Sequence, residues 1–269
     1  MDIEKYFDEN EKPLDNIVDD GGFCAIFRKI VCIGDSLSSG EFESRGIDGK
    51  SKYNDMYEYS WGQYIGRAIG AEVLNCSKGG LTAKKYVETF APNRNYFDKP
   101  YDAQAYTIGF GVNEINQIQR GEGIPLGDIE DIKDDYTQNA DTFVGNYGKI
   151  IAKYKELQPR AKFFLITIPQ GAADEERIAL VARHTELIYQ IAEKFTNCFV
   201  IDLNKYAPAH DKLYQERFYM SGHLNPMGYI VSAKQIMSYI DYIVRHNYAQ
   251  FRKVPFIGTD LDNLKYPEE

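Results

Sequence analysis

The sequence KIVCIGDSLSSG at residues 29–40 decides the fold of this chain. It begins with β-branched and apolar residues, the composition of a strand that is buried on both faces of a parallel sheet. Gly34 ends this run, because a residue without a Cβ lets the backbone turn sharply. Asp35 and Ser36 follow at the carboxyl end of the strand, where open α/β sheets place their ligands. Taken alone, the tripeptide Gly-Asp-Ser is also typical of an ordinary turn.

The bulk properties fit a globular protein and exclude some classes of function. The chain has 269 residues, of which 26% are charged and 43% apolar, and its net charge is −9. This acidic balance, with no stripe of Lys and Arg, argues against a nucleic-acid surface. No apolar run approaches the roughly 20 residues that cross a membrane. Residues 1–20 lack the apolar core of a secretory signal, so we expect a cytoplasmic protein, although a signal already cleaved would leave the same sequence.

The cysteines and histidines do not form a metal-binding pattern. Cys24, Cys32, Cys76 and Cys198 have no metal-like spacing, and three of them lie in or beside apolar runs. We therefore expect buried free thiols in a reducing compartment. The four histidines form no cluster with cysteine, which argues against a zinc site.

Strand-like and helical segments alternate along the chain. Apolar runs predict five strands over residues 29–34, 71–76, 103–109, 161–168 and 198–203. Periodic patterns predict helices over 60–69, from a turn at 77–82 to about 90, and over 138–157, 174–195 and 226–246. This alternation predicts βαβ units and a parallel sheet that is covered by helices on both faces.

The segments between these elements predict long loops and a single domain. Residues 40–60 and 114–135 are polar without a clear period, so we interpret both as long loops, which tend to carry function. No linker divides the chain. We expect an N-terminal arm over residues 1–28 that packs on a domain over 29–246, followed by a tail over 247–269.

Four polar residues fall where a parallel sheet gathers its loops. Ser36 follows the first strand, Gly80 the second and Asn113 the third, and His223 precedes the last helix. These loops meet at one edge of a doubly wound sheet. A serine becomes a nucleophile when a histidine takes its proton, and the oxyanion that forms needs N–H donors. The Ser36 N–H, the Gly80 N–H and the Asn113 side-chain amide fit that need.

These residues resemble the motifs of the SGNH (GDSL-type) hydrolases, a family of serine esterases, lipases and carbohydrate deacetylases. The matching blocks are GDSLS at 34–38, NCSKGG at 75–80, GVNE at 111–114 and HLNP at 223–226. Each block is weak alone, but four in this order are specific. The resemblance implies a flavodoxin-like three-layer α/β/α sandwich with a five-stranded parallel sheet. It also implies metal-free hydrolysis without a cofactor, and catalytic roles for Ser36, Gly80, Asn113 and His223.

The chain departs from the family pattern at two positions. Glu114 replaces the usual aspartate of the third block. Met220 stands three residues before His223, where the family has the acid that orients the histidine. A thioether is only a weak acceptor and cannot stabilise an imidazolium as a carboxylate does. A backbone carbonyl from residues 219–221 is one alternative for holding the ring, and Asp202 or Asp211 is another.

Several aromatic and histidine side chains leave their role open. Tyr53, Tyr57, Tyr59 and Trp61 follow the nucleophile closely, either to stack on a sugar ring, to pack a lid, or simply to fill space. We expect the remaining histidines to be surface residues, with no part in the site. They are His184, His210 and His246.

The function that follows is a serine esterase acting on a small-molecule ester with a short acyl group. Family analogy suggests a carbohydrate O-acetyl ester such as an acetylated sugar, hydrolysed through a Ser-His dyad or a variant triad. One alternative is a thioesterase or lysophospholipase that uses the same site. The other is a non-catalytic ligand-binding protein on the same fold, because Met220 removes the expected acid.

Overall fold

A computed structural model describes residues 4–171 and 173–261 of the chain. Its main sheet has five parallel strands, β1 (Lys29–Gly34), β4 (Glu72–Ser77), β5 (Ala105–Gly109), β6 (Lys162–Ile166) and β7 (Cys198–Ile201). Their order across the sheet is β4-β1-β5-β6-β7. Two antiparallel hairpins accompany the sheet, formed by β2 (Glu41–Arg45) with β3 (Ser51–Asp55) and by β8 (Tyr219–Met220) with β9 (His223–Leu224).

Helices connect the strands and cover the sheet. In chain order they are α1 (Ser36–Ser39), α2 (Trp61–Ile69), α3 (Ala83–Lys85), α4 (Val112–Gln119), α5 (Phe143–Leu157), α6 (Glu175–Lys194), α7 (Leu203–Tyr206), α8 (Lys212–Phe218), α9 (Pro226–His246) and α10 (Tyr248–Phe251). A π-helical turn at Tyr86–Phe90 continues α3, and short 3₁₀ turns occupy several loops.

Two apolar cores, one on each face of the sheet, make the three layers. On one face, α3, α5 and α6 cover a cluster that includes Tyr147, Ile150 and Leu187. On the other face, α2 and α9 cover a cluster that includes Trp61 and Ile236. The predicted α/β/α sandwich with a five-stranded parallel sheet is therefore confirmed.

The predicted strands and long helices are found within a few residues of their expected ends, but the long loop predicted over 40–60 was wrong, and the one predicted over 114–135 begins only after residue 119. Residues 41–45 and 51–55 form the β2–β3 hairpin, and residues 112–119 form α4. The hairpin escaped prediction because most of its side chains face solvent and only Phe42 supplies an apolar contact to the core. Asp48 and Gly49 supply its turn, with Gly49 in the left-handed region at φ 73°.

The register of the sheet brings three of the functional loops together. Gly34, the last residue of β1, pairs with Ser77 of β4 on one side and with Gly109 of β5 on the other. Gly34 is required here because a Cβ would lie 2.7 Å from the Gly109 carbonyl oxygen and 2.3 Å from Ser38 Oγ. The loops after β1, β4 and β5 thus start from one line across the sheet.

A buried ion cluster attaches the N-terminal residues to α9. Arg245 donates through Nη2 to Glu11 (2.8 Å) and through Nε to Asp241 (2.8 Å), and through Nη1 to the Tyr6 carbonyl oxygen. The three charged side chains are each no more than 6% exposed. The hydrogen bond from Arg245 lowers the pKa of Glu11, which keeps this acid ionised beside the buried cation. The predicted boundaries of arm, domain and tail stay predictions, and residues 262–269 of the tail lie outside the described residues.

Replacing Arg245 with methionine tests this cluster. The variant leaves two buried carboxylates without their cation, so we expect the free energy of unfolding to fall by about 3–5 kcal/mol. Lys234→Met on the same helix is the matched control, since Lys234 pairs with Asp19 at the surface and such pairs contribute about 0–1 kcal/mol. Urea denaturation measures both, and equal losses in the two variants would contradict the assignment.

Candidate functional site

A cavity of about 670 Å³ opens at the carboxyl edge of the sheet, where β1, β5 and β6 end. Three of the four predicted site residues line it, namely Ser36, Asn113 and His223. Gly80 is not among the described residues that line it. The structure therefore gathers loops from distant parts of the chain around one space, as a doubly wound sheet does.

Ser36 is the first residue of the short helix α1. Asp35 caps this helix by accepting a hydrogen bond from the Leu37 N–H at 3.1 Å. Burial raises the pKa of the Asp35 carboxyl to about 7. The Tyr229 hydroxyl, from α9, donates to the Glu41 carbonyl oxygen at 2.7 Å and approaches the Ser36 carbonyl oxygen at 3.4 Å. The nucleophile candidate is thus held by Asp35 within its own helix and by Tyr229 from α9.

The loop after β4 that contains Gly79 and Gly80, here called the glycine loop, is connected to α4 through side-chain contacts. Asn113 Nδ2 donates to the Leu81 carbonyl oxygen at 2.8 Å, which ties this amide to the loop that contains Gly80. Gly80 has φ 74°, and no described atom lies within 4 Å of the position of a Cβ there. Glu114 is buried and accepts from the Ala83 N–H at 2.6 Å, and burial raises its pKa to about 7. The oxyanion roles of Gly80 and Asn113 stay predictions.

His223 begins β9, directly after a tight turn. Ser221 in that turn adopts φ 62°, which is the left-handed conformation that tight hairpins need. Met220 pairs with His223 across the hairpin, but its side chain is 41% exposed. Among the described residues, His223 makes no hydrogen bond to Ser36 Oγ, and its buried Nδ1 has no hydrogen-bond partner of any kind. A backbone carbonyl from residues 219–221, one of the two alternatives for holding the ring, is therefore not among the hydrogen-bond partners of Nδ1.

Two glutamates from β2 lie against the His223 ring instead. Glu41 Oε1 is 3.1 Å from Nε2, and Glu43 Oε2 is 3.8 Å from Nδ1. Residues i and i+2 of a strand share a face, so β2 presents both carboxylates on one side and Phe42 on the other. Sequence reasoning missed these residues because it treated 40–60 as a loop. The sequence signal that could have revealed the hairpin is the alternating pair Glu41 and Glu43, followed by the turn-forming dipeptide Asp48-Gly49.

The two glutamates have different electrostatic surroundings. Burial, and then the charges of Asp55 and Glu43, raise the pKa of Glu41 to about 7. The hydrogen bond from the Gly222 N–H (2.7 Å) lowers the pKa of Glu43. Burial lowers the pKa of His223, while the nearby charges of Glu43 and Asp55 act in the opposite direction. At neutral pH the ring is thus neutral and able to accept a proton.

The two aspartates considered as the missing acid are engaged elsewhere. Asp202 is buried and accepts from Thr167 Oγ1 (3.1 Å) and from the Tyr189 hydroxyl (2.8 Å). Asp211 caps α8 by accepting from the Tyr214 N–H at 2.8 Å. Neither carboxylate is among the described groups that contact His223.

The expectation that the other histidines are surface residues was wrong for two of them. His184 is fully buried and contacts the Phe110 carbonyl oxygen through Nε2 at 2.9 Å. His210 lines the cavity, where Nδ1 lies 2.9 Å from the Tyr219 hydroxyl and the ring stacks on Tyr214. Burial lowers the pKa of both histidines to about 4, so both are neutral.

The aromatic residues after the nucleophile divide between core and surface. Trp61 is buried in the core, which leaves it no face for a sugar. Tyr59 packs edge-on against Phe42, and the edge of Tyr53 contacts the His223 ring at 5.8 Å between centroids. Tyr57 is 41% exposed and approaches the Ser77 carbonyl oxygen.

The wall of the cavity carries little charge. Arg177 is the only Asp, Glu, Lys or Arg among the described residues that line it. Its Nη1 donates to the side-chain oxygens of Asn116 (2.7 Å) and Gln119 (3.1 Å), and it forms no ion pair within residues 4–171 and 173–261. The rest of the lining is apolar or carries neutral polar groups.

The described residues include free cysteines, but no metal-binding cluster and no helix that could span a membrane. All four cysteines are free, and burial raises the pKa of each thiol. Within the described part of the chain, no group of three or more His, Cys, Asp or Glu side chains is arranged to hold a metal ion. No helix described by the structure combines the length and apolarity that a membrane span requires.

A parallel α/β sheet that gathers a serine, an asparagine and a histidine around one cavity at its carboxyl edge carries the side chains that a serine hydrolase of acyl esters needs. The comparison with family models agrees, since the model of the GDSL-like lipase/acylhydrolase family matches residues 32–231. The chain belongs to this family, whose members act on ester bonds. The curated proteins include no relative that matches the chain.

Solved structures with the same fold include several carbohydrate esterases. A carbohydrate esterase family 2 enzyme from Corynascus thermopiles (Myceliophthora fergusii) aligns with a TM-score of 0.55 at 16% identity, over 81% of this chain and 66% of that one. The acetyl xylan esterase AlAXEase aligns at 0.51 and 17% identity, over 79% and 99%. A catalytic mutant of Axe2, an acetylxylan esterase from Geobacillus stearothermophilus, aligns at 0.50 and 17%, over 79% and 94%. At these identities the likeness establishes the fold.

Asp202 and Asp211 form hydrogen bonds away from His223, so neither should be needed for catalysis. Asp202→Asn and Asp211→Asn should each retain most of the kcat for p-nitrophenyl acetate, because neither carboxylate contacts His223. Losing a true triad acid typically lowers kcat by about 10⁴. Circular dichroism confirms that each variant is folded. A severe loss of kcat in a folded variant would place that aspartate in the site.

Proposed function

We propose that this chain is a serine esterase that hydrolyses a short-chain acyl ester, with a carbohydrate O-acetyl ester as the first candidate. The observation that carries the proposal is the meeting of Ser36, Asn113 and His223 around one cavity. Its volume of about 670 Å³ is in the usual range for small-molecule sites, about 300–1,000 Å³. The carbohydrate and acetylxylan esterases with the same fold support an O-acetyl substrate by analogy.

The first half of the reaction forms an acyl-enzyme. Ser36 Oγ attacks the carbonyl carbon of the ester while His223 takes the hydroxyl proton. The Ser36 N–H, the Gly80 N–H and the Asn113 amide stabilise the oxyanion. When the tetrahedral intermediate collapses, the C–O bond to the alcohol breaks, and the imidazolium of His223 gives the alkoxide its proton.

The second half releases the acid. A water molecule attacks the acyl-enzyme carbonyl while His223 again takes a proton, and the same donors stabilise the second oxyanion. Collapse breaks the bond to Ser36 Oγ, which recovers its proton from His223. The products are the alcohol and the short carboxylic acid, and no other reactant is consumed.

The lining of the cavity supports a small polar alcohol as the group that carries the acyl chain. Apolar side chains form one part of the wall and neutral amides another, which suits a compound with an acyl group and several hydroxyls. The larger apolar residues are Leu37, Val112, Ile168, Pro169, Ile178 and Val181, and the amides besides Asn113 are Asn116, Gln170, Asn204 and Gln215. Arg177 adds a positive charge in a chain with 40 acidic and 31 basic residues. This charge favours an anionic alcohol, such as an acetylated sugar acid.

The nucleophile is tested by Ser36→Ala. The variant should fold normally and lose both turnover of p-nitrophenyl acetate and labelling by a fluorophosphonate, because the acyl-enzyme forms on Ser36 Oγ. Ser44→Ala, at an exposed position of β2, is the matched control and should keep both. Comparable kcat/KM in the Ser36 variant would refute the site. Ligand binding without turnover in the wild type would favour the non-catalytic alternative.

The charge of the cavity is tested with 4-acetoxybenzoate and its neutral methyl ester, by measuring release of the phenol. Arg177→Gln should lower kcat/KM for the anionic ester by about 10–100-fold, the loss expected for a hydrogen bond to a charged group, at about 1.5–3 kcal/mol. The neutral ester should change little, and Arg177→Lys should keep part of the preference. An equal change for both esters would show that Arg177 does not recognise the anion.

A further inference from the structure

The imidazole of His223 lies between two carboxylates that come from a single strand. Glu41 faces Nε2 and Glu43 faces Nδ1, at 3.1 and 3.8 Å. The family position for an acid is occupied by Met220. The carboxylates beside the His223 ring therefore come from β2, the strand that follows Ser36 in the chain, and not from the segment just before the histidine.

We propose that Glu43 is the positioning residue of His223, which orients the ring through its Nδ1 side and stabilises the imidazolium formed during the reaction. This inference rests on the proposed function, because it concerns the histidine that would serve Ser36. Glu43 acts through His223 and does not touch the reacting ester.

The carboxylate of Glu43 is fixed relative to the histidine loop. Its Oε2 accepts from the N–H of Gly222, the residue just before His223, at 2.7 Å. Its Oε1 accepts from Ser51 Oγ at 3.0 Å, and Tyr53, directly opposite on β3, packs its ring edge on His223. The carboxylate, the turn and the ring are thus held as one unit, and the Glu43 side chain is only 12% exposed.

A protonated Nδ1 of His223 needs a hydrogen-bond acceptor, because this nitrogen is buried. This nitrogen is buried without a hydrogen-bond partner among the described residues, and Glu43 Oε2 is the nearest carboxylate oxygen to it. The distance of 3.8 Å exceeds a hydrogen bond, but catalytic contacts are often long before substrate binds. When His223 takes the Ser36 proton, attraction between the imidazolium and the carboxylate increases and favours a shorter contact.

Glu41 lies on the other side of the His223 ring from Glu43. It lies beside Nε2, the nitrogen that must face Ser36 when Nδ1 faces the positioning acid. A Cβ on Gly79 would stand 1.6 Å from Glu41 Oε2, so this carboxyl lies between the ring and the glycine loop. Its raised pKa of about 7 and the lowered pKa of Glu43 leave Glu43 as the acid that is ionised throughout the neutral range. Environments that separate two carboxyl groups in this way usually give them different roles.

Glu43→Gln is the central variant, because it keeps the size of the side chain and removes its charge. We expect kcat for p-nitrophenyl acetate to fall by about 10²–10⁴, as for loss of a triad acid. Glu43→Asp should recover part of this loss. Asp48→Asn, in the turn of the same hairpin and exposed, removes the same charge away from the ring and should leave kcat unchanged.

A second substitution separates a catalytic effect from a structural one. Met220 pairs with His223 across the β8–β9 hairpin, so Met220→Asp introduces a carboxylate on the strand directly opposite the histidine. Added to Glu43→Gln, it should raise kcat at least tenfold above the single variant. A merely structural role for Glu43 would not be rescued from a different strand.

The pH dependence gives a further readout. The charged or titratable groups around His223 are Glu41 and Glu43 on β2, and Asp55 and Tyr53 on β3. The Glu43 charge raises the pKa of His223, so its removal should move the acid limb of kcat/KM to lower pH. A structural defect would lower the whole profile without moving that limb.

The pKa of His223 measured by NMR titration keeps this proposal separate from the proposed function. The His223 signal is assigned with a His223→Ala variant, and its pKa should be lower in Glu43→Gln than in the wild type even if the protein has no esterase activity. An inactive wild type with this shift would refute the esterase and retain the Glu43–His223 interaction. Wild-type kcat and pKa in Glu43→Gln, with the loss found instead in Glu41→Gln, would overturn the proposal.

Discussion

The parallel pairing of β1 with a neighbour on each side is the constraint on which the rest of the structure depends. Because Gly34 is opposite both Ser77 and Gly109, three chain segments leave the sheet from the same line. The serine, the glycine loop and the asparagine helix then need only a few residues each to converge. Because Gly34 has no side chain, Ser38 of α1 can pack directly against the end of β1.

The histidine reaches the same edge by a different route. His223 lies just before the start of α9, which packs on the face of the sheet that α3, α5 and α6 do not cover. Arg245 fixes α9 to the N-terminal residues. Tyr229, one turn into α9, bonds to the backbone around α1. The same helix thus sets the position of His223 and of the short helix that carries Ser36, which couples the two halves of the site without a direct hydrogen bond between them.

The sequence predicted the parts of this arrangement that depend on burial. Strands β1 and β6 are continuous apolar runs because both of their faces are covered, and such runs are easy to recognise. The positions of Ser36, Asn113 and His223 followed from the ends of these elements. The β2–β3 hairpin was missed because it is polar, so it lacks the apolar alternation that identifies a half-buried strand. Its two glutamates were missed with it, and the buried state of His184 and His210 could not be inferred because it arises from contacts between distant segments.

The exposed end of the β2–β3 hairpin gives experimental access to the site from outside. Gly49 has no described atom within 4 Å of a would-be Cβ, and the residues around it face solvent. Exposed loop tips of this kind are where inserted domains are tolerated best. Glu43 lies on β2, the strand that leads into this turn, so a module inserted at the tip would be joined through β2 to the carboxylate beside the histidine. The hairpin is therefore a natural place to build an externally controlled version of the enzyme.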